Sequence, residues 1–320
     1  MAEIGYALSS EEHTPNDLVQ NARRAEEVGF TFALISDHFH PWIDAQGHSA
    51  FVWSVIGGIA AVTSKLRLGT GVTAPIMRIH PAIIAQAAAT SAAMMPGRFF
   101  LGVGTGEALN EHILADHWPM ISVRQDMLEE SVEIIRLLFE GDEINYWGEF
   151  YNVENARLYT LPDDGPPPIY VAASGPDSAA LAGEIGDGFI TTKADPELVE
   201  EFESNGGKGK PKIAQVKVCW AQNENDALET VYKYWPTALV PGTLHADLPT
   251  PAHFEDAAKL IQKEKLKDEV VLGPDAQKHI QGVQELVDMG FDQVYVHQIG
   301  PDQDGFFNFY QKEVMPKLKL

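Results

Sequence analysis

The sequence predicts a (β/α)8 barrel, an α/β fold of the TIM type. Three observations carry this expectation. Eight short apolar runs rich in β-branched residues alternate with longer segments of helical spacing. The chain has 320 residues, a length at which α/β barrels form one unit. Polar, glycine-rich or aromatic stretches follow five of the runs, at the strand ends where a barrel keeps its chemistry. An open doubly wound sheet is the other closure of the same pattern.

The elements follow in order. Ile4–Leu8 reads as the first strand. Thr14 is an N-cap with Pro15 at the first helical position, and the helix over Leu18–Val28 stops at Gly29. Phe32–Ile35 is the second strand, Phe51–Thr63 a helix and Leu66–Val72 the third strand. An alanine-rich helix over Pro81–Met95 closes at Pro96-Gly97, and Phe99–Val103 is the fourth strand. Ser122–Glu140 is amphipathic, with Leu128, Val132, Ile135 and Phe139 on one side. Ile144–Leu161 has the alternating look of a small antiparallel excursion, and Pro162–Pro168 leads back. Ile169–Ala173, Gly188–Thr191, Ile213–Trp220 and Gln293–Val296 are the remaining strands. Helices are expected at Asp177–Ile185, Pro196–Ser204, Asp226–Trp235, Ala276–Met289 and Phe306–Leu318, with a mobile turn at residues 206–210. The whole of 1–320 reads as one domain with insertions near 142–168 and 237–273.

Composition excludes several functions. No apolar run approaches the roughly 20 residues that span a bilayer. The N-terminal stretch has neither a basic region nor a signal core, so a cytoplasmic location is expected. Cys219 is the only cysteine, which rules out an internal disulfide and a thiolate metal cluster. The net charge of −23 opposes binding to nucleic acid and to anionic membranes. It suits a solvated acidic surface, or a salt-loving host.

The densest polar stretch is Ser36-Asp37-His38-Phe39-His40-Pro41-Trp42, directly after the second strand. A histidine titrates near neutrality, so His38 can accept a hydroxyl proton; it reads equally as a loop histidine bonded to a carbonyl. Asp37, His38, His40 and His48 raise a metal reading, but no third ligand set and no HExxH motif follow, and no metal is expected. Gly102–Glu107 is glycine-rich without being G-x-G-x-x-G, and no P-loop is present. It lets backbone approach a planar ligand, with Glu107 as a proton donor, or it is a plain turn. Ala173-Ser174-Gly175-Pro176 opens a helix whose free amides suit an anion, or it simply caps. Gly69–Pro75 ends the third strand with two glycines, the place for a bulge or a cofactor backstop.

Together these stretches resemble the luciferase-like barrel superfamily, and within it the dehydrogenases that use the deazaflavin coenzyme F420. The resemblance rests on GYALSSEEHTP, SDHFHPW, LGTGVTAPIMR, HPAIIAQAAAT, PGRFFLGVGTGEALNE, VRQDMLEESVEIIR and IYVAASGP. It covers residues 3–190 closely and the last third more loosely. It implies hydride transfer from an alcohol carbon to C5 of the deazaflavin, with His38 accepting the hydroxyl proton. Trp42 then steadies the transition state, Glu107 lies near ring N1 and Glu11 near the substrate. Asp37, Thr73, Asn110, Ala173, Ser174 and Gly175 match cofactor-contact positions, and Gly71–Val72 matches a non-prolyl cis peptide that backs the ring. A homodimer is implied as well.

The departures concern substrate. The glucose-6-phosphate branch holds phosphate with two lysines and an arginine. Lys193 lies near the first lysine and His245 loosely matches the second, while Lys267-Asp268-Glu269-Val270 puts acid where the arginine is expected. His40 and VRQDM resemble the branch that oxidises simple secondary alcohols. The expectation therefore favours a small-molecule secondary alcohol, with a sugar 6-phosphate as the alternative. An FMN-dependent monooxygenase and a non-catalytic F420-binding protein are the competing classes.

Overall fold

A computed structural model describes residues 2–319. Eight parallel strands close on themselves: β1 (Glu3–Leu8), β2 (Phe32–Ile35), β3 (Arg67–Thr70), β4 (Phe99–Val103), β7 (Ile169–Ala172), β8 (Gly188–Thr191), β9 (Lys212–Cys219) and β11 (Gln293–Gln298). β9 pairs with both β8 and β11, and β11 pairs with β1, so no edge of the barrel remains. β5 (Ile144–Trp147) and β6 (Asn152–Ala156) form a separate antiparallel hairpin, and β10 (Val271–Leu272) adds to the outer end of β9.

Alternation along the strands sorts the core into two layers. Ala7, Phe32, Leu34, Phe100, Tyr170, Ile190, Ile213 and Tyr295 form one apolar cluster, and residues from seven separate strands can meet only inside the barrel. Glycines make room for the rings: a Cβ at Gly5 would stand 2.5 Å from Phe32, and one at Gly69 2.0 Å from Phe100. The other face of each strand packs on the surrounding helices.

Those helices are α1 (Pro15–Val28), α2 (Val52–Val62), α3 (Pro81–Met94), the short α4 (Ala108–Glu111), α5 (Ile121–Phe139), α6 (Pro176–Ile185), α7 (Pro196–Phe202), α8 (Glu224–Tyr234), α9 (Gly242–Asp247), α10 (Pro251–Ala258), α11 (Ala276–Asp288) and α12 (Gln303–Phe309). Thr14 caps α1 by accepting the Asp17 amide, and Gly29 ends it at φ 109°. α9 and α10 belong to the long segment between α8 and β10. Its apolar side chains pack with Trp42 and Trp235, so the segment sits over the C-terminal mouth of the barrel.

Four local expectations need correction. β3 ends at Thr70 rather than Val72; the Gly71–Val72 peptide is cis, and Thr73 rejoins the sheet by a bridge to Val103. The turn at 206–210 is pinned, because Lys210 Nζ donates to the carbonyls of Gly183 and Gly186, each at 2.8 Å. The last helix begins earlier, at Gln303, and passes into a π turn at Tyr310 and a 3-10 turn at Met315. Pro316 has no amide to continue an α ladder there. The ninth parallel partner, β10, was hidden inside a segment read as an insertion.

Candidate active site

The loops after the strands surround a cleft of about 1330 Å³ at the C-terminal mouth. Glu11, Asp37, His38, Trp42, Gly71, Val72, Glu107, Ala173, Ser174, Gly175, Lys193 and His245 all line it. The strand ends therefore bring together most residues that the sequence singled out.

His38 stands at the centre. Its Nδ1 lies 3.2 Å from the His40 carbonyl, which can only accept, so Nδ1 carries the proton. Nε2 is then the nitrogen with the free lone pair, 3.4 Å from Glu11 Oε1. Glu11 is buried, and its other oxygen accepts from Ser36 Oγ at 2.6 Å and Ser9 Oγ at 3.0 Å. The imidazole thus faces the cleft with a fixed carboxylate beside it. Trp42 meets the His38 ring edge-on at 4.9 Å and stacks on His245 at 4.8 Å. His245 Nε2 donates to the Thr237 carbonyl at 3.0 Å, and burial holds its pKa below the ordinary histidine value.

A buried ionic network braces this wall. Arg78 reaches Asp37 Oδ1 at 2.9 Å and Glu111 Oε1 at 3.4 Å, while the Thr73 hydroxyl donates to Asp37 Oδ2. Burial pushes the Glu111 carboxyl up to about 7, against the pull of Arg78 and with help from Glu107. The loops after β2, β3 and β4 are tied together at one guanidinium.

Three expected contacts lie elsewhere. Thr73 is engaged with Asp37 and is fully buried, off the cleft surface. Asn110 accepts the amides of Phe39 (2.9 Å) and His40 (3.2 Å), so it holds the His38 loop from behind. His40 donates Nδ1–H to the Leu109 carbonyl at 2.8 Å and lies against His112, again off the cleft surface. Lys193 is on the rim, 64% exposed, 3.5 Å from Asp195.

Glycines supply part of the cleft lining, at Gly71, Gly104, Gly106 and Gly175. A Cβ at Gly104 would come within 2.8 Å of Val72, and one at Gly106 within 2.9 Å of Glu111, whereas Gly175 opens on free space. Absence of side chains at these positions leaves backbone exposed to the cleft. No group of three or more potential metal ligands occurs among the described residues.

Sequence reasoning missed a second set. Glu12 accepts from Trp235 Nε1 (2.6 Å), His297 Nε2 (3.0 Å) and the Gly300 amide (2.8 Å). Burial opposes its charge, but the His297 bond and charge, with His13 and that amide, hold its pKa below the usual carboxylate value. Arg124, which donates to the Gly106 carbonyl, and Lys217 also line the cleft. Glu12 and Arg124 fall inside stretches already singled out, GYALSSEEHTP and VRQDM, without a role being read for them, and Lys217 is marked only by the strand alternation that turns it inward.

A closed parallel barrel with its polar groups gathered at the strand ends is the architecture of the luciferase-like proteins. The family model described as Luciferase-like monooxygenase matches residues 1–293, and the chain belongs to this family. Among its relatives, the F420-dependent glucose-6-phosphate dehydrogenase of Microbacterium testaceum is 35% identical over 99% of this chain and 97% of its own. That of Mycobacterium tuberculosis is 35% identical over 100% and 99%. A solved F420-dependent secondary alcohol dehydrogenase, in complex with an F420-acetone adduct, superposes with a TM-score of 0.91 at 31% identity, over 98% of both chains.

Proposed function

We propose that this chain is a coenzyme F420-dependent oxidoreductase that takes a hydride from a secondary alcohol carbon, with His38 as the proton acceptor. The observation that carries this reading is the His38 geometry: Nδ1 fixed on a carbonyl, Nε2 open to the cleft beside Glu11. The F420-dependent names of relatives at 31–36% identity over nearly the whole chain support the cofactor. The residues present fit it, with Gly71, Val72, Gly104 and Gly175 offering backbone to a ring and Glu107 an acid at its side.

When bound, the coenzyme supplies C5 as the hydride acceptor. This chain's residues do the rest. His38 Nε2 takes the hydroxyl proton as the carbonyl product forms, and Glu11 stabilises the resulting imidazolium. Trp42, clamped between His38 and His245, limits where the carbinol carbon can stand. The covering segment that carries His245 packs its apolar side chains with Trp42 and Trp235 and would limit water at the reacting atoms. Glu107 adds a carboxyl group to the cleft lining and would serve charge that develops on the bound ring.

The sugar-phosphate alternative is favoured by the names of the curated relatives. The simple alcohol is favoured by the cleft, where Lys193 and Lys267 are already engaged by acids. The test mixes the protein with oxidised coenzyme and isopropanol or glucose 6-phosphate and follows loss of visible absorbance. Fading with an alcohol, and transfer of deuterium from its carbinol carbon, are expected. Oxygen consumption with reduced FMN instead would overturn the reading.

A further inference from the structure

Lys217 is on β9, four residues after Ile213, which points into the barrel. Its register partner on β11 is His297, two residues after the inward Tyr295. Alternation therefore turns both side chains into the mouth, and both line the cleft. The other lysines of the cleft are paired with carboxylates: Lys193 with Asp195 (3.5 Å), Lys267 with Glu264 (2.8 Å) and Lys278 with Glu224 (2.9 Å). Arg124 donates one Nη to the Gly106 carbonyl (3.2 Å) and holds the other 3.8 Å from Asp247, with its Nε buried and without a partner. The Lys217 ammonium has no hydrogen bond and no carboxylate within 4.0 Å among the described residues. The chain has 46 acidic and 23 basic residues, so carboxylates that could pair with an inward ammonium are plentiful, and Lys217 meets none. Burial lowers its pKa, and Glu269 offsets part of that from a distance.

Its surroundings define the ligand. Lys217 lies near enough to His245 for its charge to act on that ring, and His245 stacks on Trp42 beside His38. Trp235, Leu239 and Val240 supply apolar wall in the same cleft. In barrels of this kind the loops after the seventh and eighth strands frequently hold a phosphate, so this end of the mouth is a customary place for an anion. One ammonium matches one negative charge. A phosphodianion calls for several converging cations, and the other lysines of the cleft are each already paired with a carboxylate.

We infer that Lys217 anchors a single negative charge on the substrate, so that the preferred donor is a short secondary alcohol carrying a carboxylate, a hydroxy acid. Oxidation then takes a hydride from the carbinol carbon and a proton from its hydroxyl, leaving the keto acid. The donor class rests on the alcohol-oxidoreductase reading above; the anion anchor itself does not.

The experiment compares wild type, Lys217→Met and Lys217→Arg. Turnover of lactate, 3-hydroxybutyrate, 4-hydroxypentanoate, isopropanol and glucose 6-phosphate is followed with oxidised coenzyme. Binding of unreactive butyrate is followed in parallel by tryptophan fluorescence, since Trp42 and Trp235 line the cleft. Expected is a lower KM for one hydroxy acid than for isopropanol. Lys217→Met raises that KM about ten- to hundredfold, the size of a lost charge-assisted bond, abolishes butyrate binding and leaves isopropanol KM and coenzyme affinity within about twofold. Lys217→Arg recovers most of it. Equal effects on all donors, weakened coenzyme binding, or glucose 6-phosphate as the Lys217-dependent donor would overturn the proposal. Lys217-dependent butyrate binding without oxidation of any alcohol would instead retain the anchor and reject the oxidoreductase reading.

Discussion

At the scale of single residues, the site is an arrangement of fixed proton positions. His38 is useful because its two nitrogens are unlike: one is held by the His40 carbonyl, the other faces Glu11 and the cleft. Glu11 cannot drift, since Ser9 and Ser36 hold its second oxygen. Glu11→Gln keeps the shape and removes the charge that steadies the imidazolium. Turnover is expected to fall about ten- to hundredfold, the size of a charge-assisted hydrogen bond, with coenzyme affinity unchanged in a fluorescence titration. Unchanged turnover would show that the carboxylate takes no part. Much of this was legible in the sequence: SDHFHPW after a strand, and Glu11 after another, fall at the catalytic end of any barrel. What was not legible has long range. Glu12 meets His297 across 285 positions of sequence, and Arg78 joins Asp37 to Glu111 only because three loops converge. No local pattern encodes such a meeting. Asn110 shows the reverse limit, for its position matched a cofactor contact while its side chain holds the neighbouring loop.

At the scale of elements, the strands were the most readable because each is a short apolar run that must be buried on both faces. Helix ends with a cap or proline, such as Thr14-Pro15, were readable too. The C-terminal element was less so, because packing decides its form. Tyr310 and Phe306 bury their rings 4.3 Å apart against Phe30, and the chain takes a π turn there. His279 on α11 docks into the same region: its Nε2 donates to the Gly273 carbonyl (2.9 Å), which leaves Nδ1 to accept from Tyr310 Oη (3.1 Å). Burial pushes its pKa down to about 4. The unfolded chain, with an ordinary histidine pKa near 6.5, therefore binds more protons than the folded one between about pH 4 and 6.5. That contribution to stability is full above this window and is lost as pH falls through it. His279→Gln is expected to be less stable at pH 7 but to lose less melting temperature on going to pH 5 than the wild type does. Parallel melting curves for the two proteins would contradict the assignment.

At the scale of the whole molecule, the barrel supplies rigidity and the loops supply chemistry. The fold class was legible from rhythm alone, since alternating strand and helix patterns of this length close most simply as eight parallel strands. The charge of −23 acts at this scale as well. Self-repulsion of so many carboxylates destabilises the compact state and is screened by salt. Melting temperature is expected to rise when sodium chloride is raised from low millimolar to molar concentration. A flat or falling curve would mean that the acidic groups are already neutralised by local pairing. The same field discourages dianionic ligands, in keeping with a mouth in which, among the described residues, Lys217 is the one lysine without a carboxylate partner.

The most direct test compares wild type with His38→Ala, following oxidised coenzyme under saturating alcohol while its affinity is measured by fluorescence. Loss of turnover by about 10²–10⁴-fold, the range for a general base, with coenzyme affinity kept within about twofold, is the expected result. Undiminished turnover in His38→Ala would contradict the role of His38 as proton acceptor, and with it the account of this site.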